Sequence, residues 1–318
     1  MTTYIIRRLL HSVVVVIVVT LMIFTVMRML PGDPVLMLLT SGEMQEFTQE
    51  QIDVLREEMG LNRPVVVQYL DWFQNAVRGN LGKSILHRYD VAQEIARRIP
   101  ISLHLGLLAF IVGIIVGPIL GVISALRRGT LIDTIVTVLA NIGITSPPFW
   151  IGIIMIYVFG LYLKILPMYG YTSPFEDLWR STLQSIMPVF CLALFPIASA
   201  ARQTRSSVIE VMQQDYIRTA WSKGLSERMI VVRHVLKNAL LPVVTMQGMV
   251  LRNIIGGAVV IETVFFIPGM GLLLTSSILS QDYPITQGII FLIAIAVVLS
   301  NLLIDIIYGW LDPRIQYQ

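Results

Sequence analysis

Six long apolar runs constrain this chain more than any other feature. They fall near Leu9–Leu30, Ser102–Leu126, Leu131–Leu163, Ser185–Ala201, Ala239–Ile261 and Thr286–Tyr308. A helix needs roughly 20 apolar residues to cross the hydrocarbon core of a bilayer, and most of these runs reach that length. A membrane β-barrel would instead alternate apolar and polar residues over segments of about 10, and these runs are continuous. Composition agrees: 14% of residues are charged, against about 25% in an ordinary soluble domain. The reading is an all-α polytopic membrane protein with six transmembrane helices.

The first run follows Arg7 and Arg8, as a secretory signal would. It continues to Leu30 without a small-residue cleavage site, beyond the usual signal core of about 7–15 residues, and is read as a retained span. The third run is too long for one straight crossing and is interrupted by Pro147-Pro148. Charge decides between one kinked span and two short ones, because short cytoplasmic loops are enriched in Lys and Arg. With six spans and both termini inside, the inner segments hold Arg7, Arg8, Arg127, Arg128, Arg202, Arg205, Arg218, Lys223, Arg228, Arg233, Lys237 and Arg314. The two short outer loops hold Lys164 and Arg180. Splitting the third run would put the basic 202–238 segment outside, so a single span with a proline kink is expected. That topology predicts three regions: 1–30, the cytoplasmic N-terminus and first span; 31–101, an external helical domain; and 102–318, a transmembrane core with the cytoplasmic loop 202–238.

Within the external segment, Thr48 and Gln51 form a capping-box pattern, and Ile52, Leu55 and Met59 share one helical face before Gly60. A second helix is predicted after Pro64, with Val66, Leu70, Phe73 and Val77 on one stripe, and a third from Asp90 through Val91, Ile95 and Ile99. Helices this short need a packing surface: the spans, each other or a partner. Gly113, Gly117 and Gly121 in the second span form a small-residue ladder suited to close helix contact.

The 202–238 segment is longer than a plain loop between spans. Gly224 breaks its helical pattern, with Ile217 and Trp221 before it and Ile230, His234 and Lys237 after it, which predicts two short helices and a glycine elbow.

Catalytic and cofactor motifs are missing from the sequence. It has no His-Glu-x-x-His and no Gly-x-Ser-x-Gly. Gly82-Lys83-Ser84 has the tail of a phosphate-binding loop, but Val77 stands where that motif needs its first glycine. The single cysteine, Cys191, lies in an apolar run and reads as buried packing, and no residues have metal-ligand spacing. The basic residues are scattered, unlike a nucleic-acid surface. Three classes remain. An ion-coupled transporter would carry ionisable groups within its spans, and here these are few: Arg252, Glu262 and Asp305. The others are a scaffold and a subunit driven by a separate ATPase, for which 202–238 is the one segment the ATPase could grip.

Together the residues resemble the permease subunits of binding-protein-dependent ABC importers of the peptide/nickel family. The likeness spans the chain: Pro31-Gly32-Asp33-Pro34, Gly60-Leu61, Gly79-Asn80-Leu81-Gly82 with Ser84, and Asp215-Tyr216-Ile217-Arg218-Thr219-Ala220 followed by Lys223-Gly224-Leu225-Ser226. It continues through Arg233-His234, Asn238-Ala239-Leu240-Leu241-Pro242, Gly256-Gly257-Ala258, Glu262-Thr263-Val264-Phe265, Pro268-Gly269-Met270-Gly271 and Asp282-Tyr283-Pro284.

The resemblance implies that Asp215, Tyr216, Arg218, Thr219, Ala220, Lys223 and Gly224 form the loop that contacts the ATPase, with Ala220 seated in an ATPase groove and Gly224 turning the chain. Aligned on Gly224, Arg218 and Thr219 replace the Glu and first Ala of the general importer pattern. It also implies a bacterial cytoplasmic-membrane location, a related second permease, two cytoplasmic ATP-binding subunits that hold ATP and magnesium, and an external solute-binding protein. No cofactor is expected in this chain. Arg252, with Asn253 beside it, is either a structural pair within the bundle or a path residue that meets solute carboxylates, and Glu262 is a further path candidate. The solute class stays open among peptides, glutathione-like peptides, nickel complexes and sugars.

Overall fold

The structure is a computed structural model, and the residues it describes are 2–29, 49–58 and 61–311. Pro31-Gly32-Asp33-Pro34, Thr48, Met59, Gly60 and Arg314 fall outside the described residues, as do the side chains of Arg7, Arg8, Gln51, Leu55, Arg252, Asn253, Gly256, Gly257 and Asp305. The described residues form helices and no strand. In chain order these are α1 (Thr2–Met29), α2 (Gln49–Glu58), α3 (Val65–Val77), α4 (Val91–Leu126), α5 (Leu131–Thr145) and α6 (Pro148–Met155), which widens into a π-turn over Ile156–Tyr162. There follow α7 (Leu178–Met212), α8 (Asp215–Ser222), α9 (Glu227–Ile230) with a π-turn over Val231–Val235, α10 (Leu236–Val264), α11 (Met270–Leu279) and α12 (Tyr283–Leu311).

Among the described residues, four helical stretches are long and apolar enough to cross a bilayer: Leu10–Met29, Val91–Leu126, Leu178–Met212 and Tyr283–Leu302. The expected fifth span lies within the continuous helix α10. The third run departs from expectation. Instead of a kinked helix it is a pair, α5 and α6, bent by 106°. The tandem prolines explain this, because a residue before proline is driven out of the α region. Ser146 precedes Pro147 and Pro147 precedes Pro148, and both adopt extended backbone (ψ 132° and 126°). Two extended residues in succession end a helix, whereas a lone proline kinks one. Pro148 then starts α6 at its first position, where the missing N–H costs nothing.

The predicted helix from Asp90 also differs. It does not stop before Ser102 but runs on as α4, which at ~1.5 Å per residue is about 54 Å long and overshoots a ~30 Å hydrocarbon core.

The chain divides into two packing units, Met1–Ile101 with Pro268–Gln318, and Ser102–Ile267. In the first, α1 packs along α12, and α3 lies against both. Phe24 of α1 meets Tyr69 edge-on at 5.3 Å, and Trp72 meets Phe291 of α12 at 6.0 Å. The packing surface that α3 needs is thus supplied by the first and last long helices. The Gly79–Ser84 motif builds the turn after α3: Gly79 and Gly82 hold φ of 84° and 82°, and the Asn80 side chain accepts from the Gly82 N–H. Ser84 then donates to Asp282 at 2.6 Å, and Asp282 also accepts from the N–H groups of Ile85 (3.2 Å) and Leu86 (3.4 Å). Two sequence motifs 198 residues apart are therefore one buried joint.

In the second unit, α7 packs on α5 and α10. The glycine ladder sits against α7 with no room for a side chain. A Cβ at Gly113 would lie 2.6 Å from the Pro196 Cβ, at Gly117 2.5 Å from the Ala200 Cβ, and at Gly121 2.5 Å from the Ala201 carbonyl oxygen. Cys191 is fully buried, as expected.

Candidate coupling site

The two helices predicted on either side of Gly224 are present as α8 and as α9, which continues through a π-turn into α10. Gly224 has φ 75°, in the left-handed region that side chains resist, and its N–H bonds the Trp221 carbonyl at 2.9 Å. No atom lies within 4 Å of where its Cβ would be, so the requirement for glycine is conformational rather than steric.

α8 has two faces. Ile217 and Ala220, three residues apart, are buried in a cluster with Ala125 of α4, Val208 of α7, Val235 of the π-turn and Ala239 of α10. The small side chain of Ala220 lets α8 press against the chain's own core. The opposite face is exposed: Asp215, Tyr216, Arg218, Thr219, Trp221 and Lys223. Tyr216 and Trp221 each keep 44% of their surface open, and Tyr, Trp and Arg are the residues that dominate binding energy at protein interfaces. Asn238 of α10 donates to the Tyr216 hydroxyl at 2.9 Å, which fixes that ring.

Behind α8 is a site that sequence reasoning missed. Asp133, buried in the first turn of α5, accepts from Arg205 on α7 through two guanidinium nitrogens (2.7 and 2.9 Å). The same carboxylate accepts from the Ser124 hydroxyl (2.6 Å) and the Gly129 N–H (3.0 Å). One side chain thereby ties the end of α4, the α4–α5 turn, α5 and α7 together. α7 runs from Arg205 to Met212 and passes through Gln213 and Gln214 into α8. One turn toward the bundle, Arg202 donates to Asn141 of α5. A displacement of α8 would therefore move α4, α5 and α7 together.

Arg252 and Asn253 belong to α10, and their side chains are outside the described residues. Glu262 is fully buried near the end of the same helix. His87, His104 and His234 are dispersed, and no group of metal-binding side chains occurs among the described residues.

Residues 117–317 match the family described as the binding-protein-dependent transport system inner membrane component, and residues 1–106 match the N-terminal region described for the same systems. A putative peptide transport system permease protein of Brucella abortus (strain 2308) is 41% identical over 318 residues, covering all of both chains. The oligopeptide transport system permease protein AppB of Bacillus subtilis (strain 168) is 37% identical over 320 residues, again covering both completely. Among solved structures, a chain of the inward-facing MetNI methionine ABC transporter superposes with a TM-score of 0.53, covering 69% of this chain and 96% of that one. At 17% identity this likeness shows the fold alone. The chain belongs to the family of binding-protein-dependent transport system inner membrane components. It is a multi-pass transport subunit of an ABC importer and not an enzyme.

Proposed function

We propose that this chain is one of two related permease halves of a peptide importer in a bacterial inner membrane, with both termini cytoplasmic. The peptide class is supported by relatives, aligned end to end with this chain, that are named as peptide and oligopeptide permeases. A solute-binding protein delivers peptide to the outer face, and two ATP-binding subunits that hold ATP and magnesium act from the cytoplasm. Their contact is the exposed face of α8: Asp215, Tyr216, Arg218, Thr219, Trp221 and Lys223, with Gly224 setting the turn and Ala220 holding the helix to the core.

The observation that carries this reading is the two-faced build of α8, whose inner side is packed and whose outer side offers Tyr, Arg and Trp to a partner. Arg252 and Asn253 in α10 are the residues assigned to the solute path, where a guanidinium can grip a peptide carboxylate through two hydrogen bonds. No observation favours an ion-coupled mechanism.

Purification of the tagged chain under mild detergent, followed by mass spectrometry, tests the assembly. A second permease, ATP-binding subunits and bound peptide are expected to co-elute. Recovery of the chain alone, with no ATP-binding protein from a native membrane, would count against it.

A further inference from the structure

A cavity of about 680 Å³ opens among α1, α3, the turn after α3 and the start of α12. Its lining is strongly basic. Arg28, Arg63, Arg78, Lys83 and Arg88 border it, and the carboxylate among them, Asp71, is already paired with Arg63 at 3.1 Å. Among the described residues, Arg78, Lys83 and Arg88 have no carboxylate partner. Arg28 is anchored from below, with its guanidinium 3.5 Å over the Phe24 ring and hydrogen-bonded to Gln68 at 2.6 Å.

The depth of this cavity follows from α1. Leu10–Met29 is an apolar stretch of 20 residues, and Arg28 lies in its last turn, where a spanning helix meets the headgroups. α3 lies beside the same end of α1. Gln68 bonds Arg28, and the neighbouring Tyr69 hydroxyl is 3.0 Å from Thr20, about 12 Å further down the helix axis. α3 therefore sits at the level of the membrane boundary, with Asp71, Gln74 and Asn75 exposed toward the cavity and Val66, Leu70 and Val77 exposed on its other side. A short helix with an apolar outer face at this depth lies in the interface plane.

We propose that the cavity binds the phosphate headgroup of an anionic phospholipid at the membrane boundary. Lys83, Arg78 and Arg88 supply the charge for the phosphate, and Arg28 closes the cavity on its α1 side. Basic residues at a membrane surface attract anionic lipid in this way. The site goes beyond the transport reading and does not depend on it.

The test uses the assembled transporter in nanodiscs holding equal amounts of phosphatidylglycerol and phosphatidylcholine. Lipids retained after mild detergent extraction are counted by native mass spectrometry. The wild type is expected to retain phosphatidylglycerol preferentially, by roughly tenfold. The double variant Lys83→Gln/Arg88→Gln loses that preference, and Arg127→Gln/Arg128→Gln, on the turn after α4, keeps it. Equal retention of the two lipids by the wild type, or an undiminished preference in the Lys83/Arg88 variant, overturns the proposal. So does glycerol phosphate, or a short peptide, displacing phosphatidylglycerol at equal concentration, because the cavity would then be a site for soluble anions. Uptake plays no part in this readout, so a failed lipid site leaves the transport reading intact.

Discussion

Asp133 and Arg205, 72 residues apart, form a two-pronged ion pair in which each carboxylate oxygen receives one guanidinium N–H. Asp133 is 6% exposed, and Ser124 and Gly129 occupy its remaining acceptor sites. The pair ties α5 to α7, the helix that leads into α8, and the first prediction concerns it. Asp133→Asn leaves Arg205 without its anion. With Arg205 about a third exposed, we expect a loss of about 2 kcal/mol, below the 3–5 of a fully buried pair. Thermal unfolding of the assembled complex checks this, and the Asp133→Asn/Arg205→Gln cycle should show strong coupling. Beyond stability, a loosened joint is expected to leave ATP hydrolysis running while uptake falls. Equal losses of both would assign the pair to folding alone.

Gly224 separates conformation from space. Alanine at φ 75° meets no atom but costs about 1 kcal/mol in backbone strain, and a branched residue costs more. Asparagine tolerates the left-handed region better. Uptake is therefore expected to fall in the order Gly, Asn, Ala, Val at this position. A fully active Gly224→Val would show that the elbow is not needed.

Ala220→Asp places a carboxylate in the cluster of Ile217, Val208 and Ala239. Burying an unpaired charge is costly enough to release α8 from the core. The variant should lose association with the ATP-binding subunits, measured by co-purification, while remaining in the membrane. Normal association would refute the inward orientation of Ala220.

Gly117→Ala forces a Cβ to 2.5 Å from Ala200 and 2.8 Å from the Ile197 carbonyl. Overpacking of this kind costs about 1–3 kcal/mol. The companion change Ala200→Gly removes one of the two clashes and should restore part of the lost thermal stability. No loss in the single variant would mean that α4 and α7 are not held this closely.

Ser84→Ala removes the 2.6 Å hydrogen bond to a carboxylate that is 1% exposed, at a cost of about 1.5–3 kcal/mol for a charged acceptor. The effect should be local. Amide exchange is expected to quicken over residues 84–91 and the start of α12, with the second packing unit unchanged. Uniform acceleration throughout would indicate a global role instead.

The apolar runs were legible because a bilayer-length helix has a composition that nothing else requires. The elbow at Gly224 is legible because glycine meets a positive φ with least strain. The inward face of α8 was also present in the spacing of Ile217 and Ala220. The Asp133–Arg205 pair was not legible. Arg205 read as one more basic residue marking the inner side, and nothing in the sequence singled out Asp133. Their partnership depends on the packing of α5 on α7, which no local pattern encodes. Ser84 and Asp282 both stood in recognised motifs, yet a contact across 198 residues leaves no trace in either. The 106° turn at Pro147-Pro148 was underestimated because the two prolines were weighed as one kink, although each constrains its own preceding residue.

The topology has its own check. Cys191 is buried, so a Cys191→Ser background suits single-cysteine labelling. A cysteine at Gln49 should react with a membrane-impermeant maleimide from outside, and one at Glu227 should not. The reverse pattern would put α8 on the wrong side for an ATPase.

The most direct measurement of the central claim is peptide uptake by proteoliposomes that contain this chain, its partner permease, the ATP-binding subunits and the binding protein. The account predicts accumulation that requires ATP and the binding protein, persists when ionophores collapse every ion gradient, and disappears in Gly224→Val. Uptake that follows an imposed ion gradient and continues without ATP would contradict it.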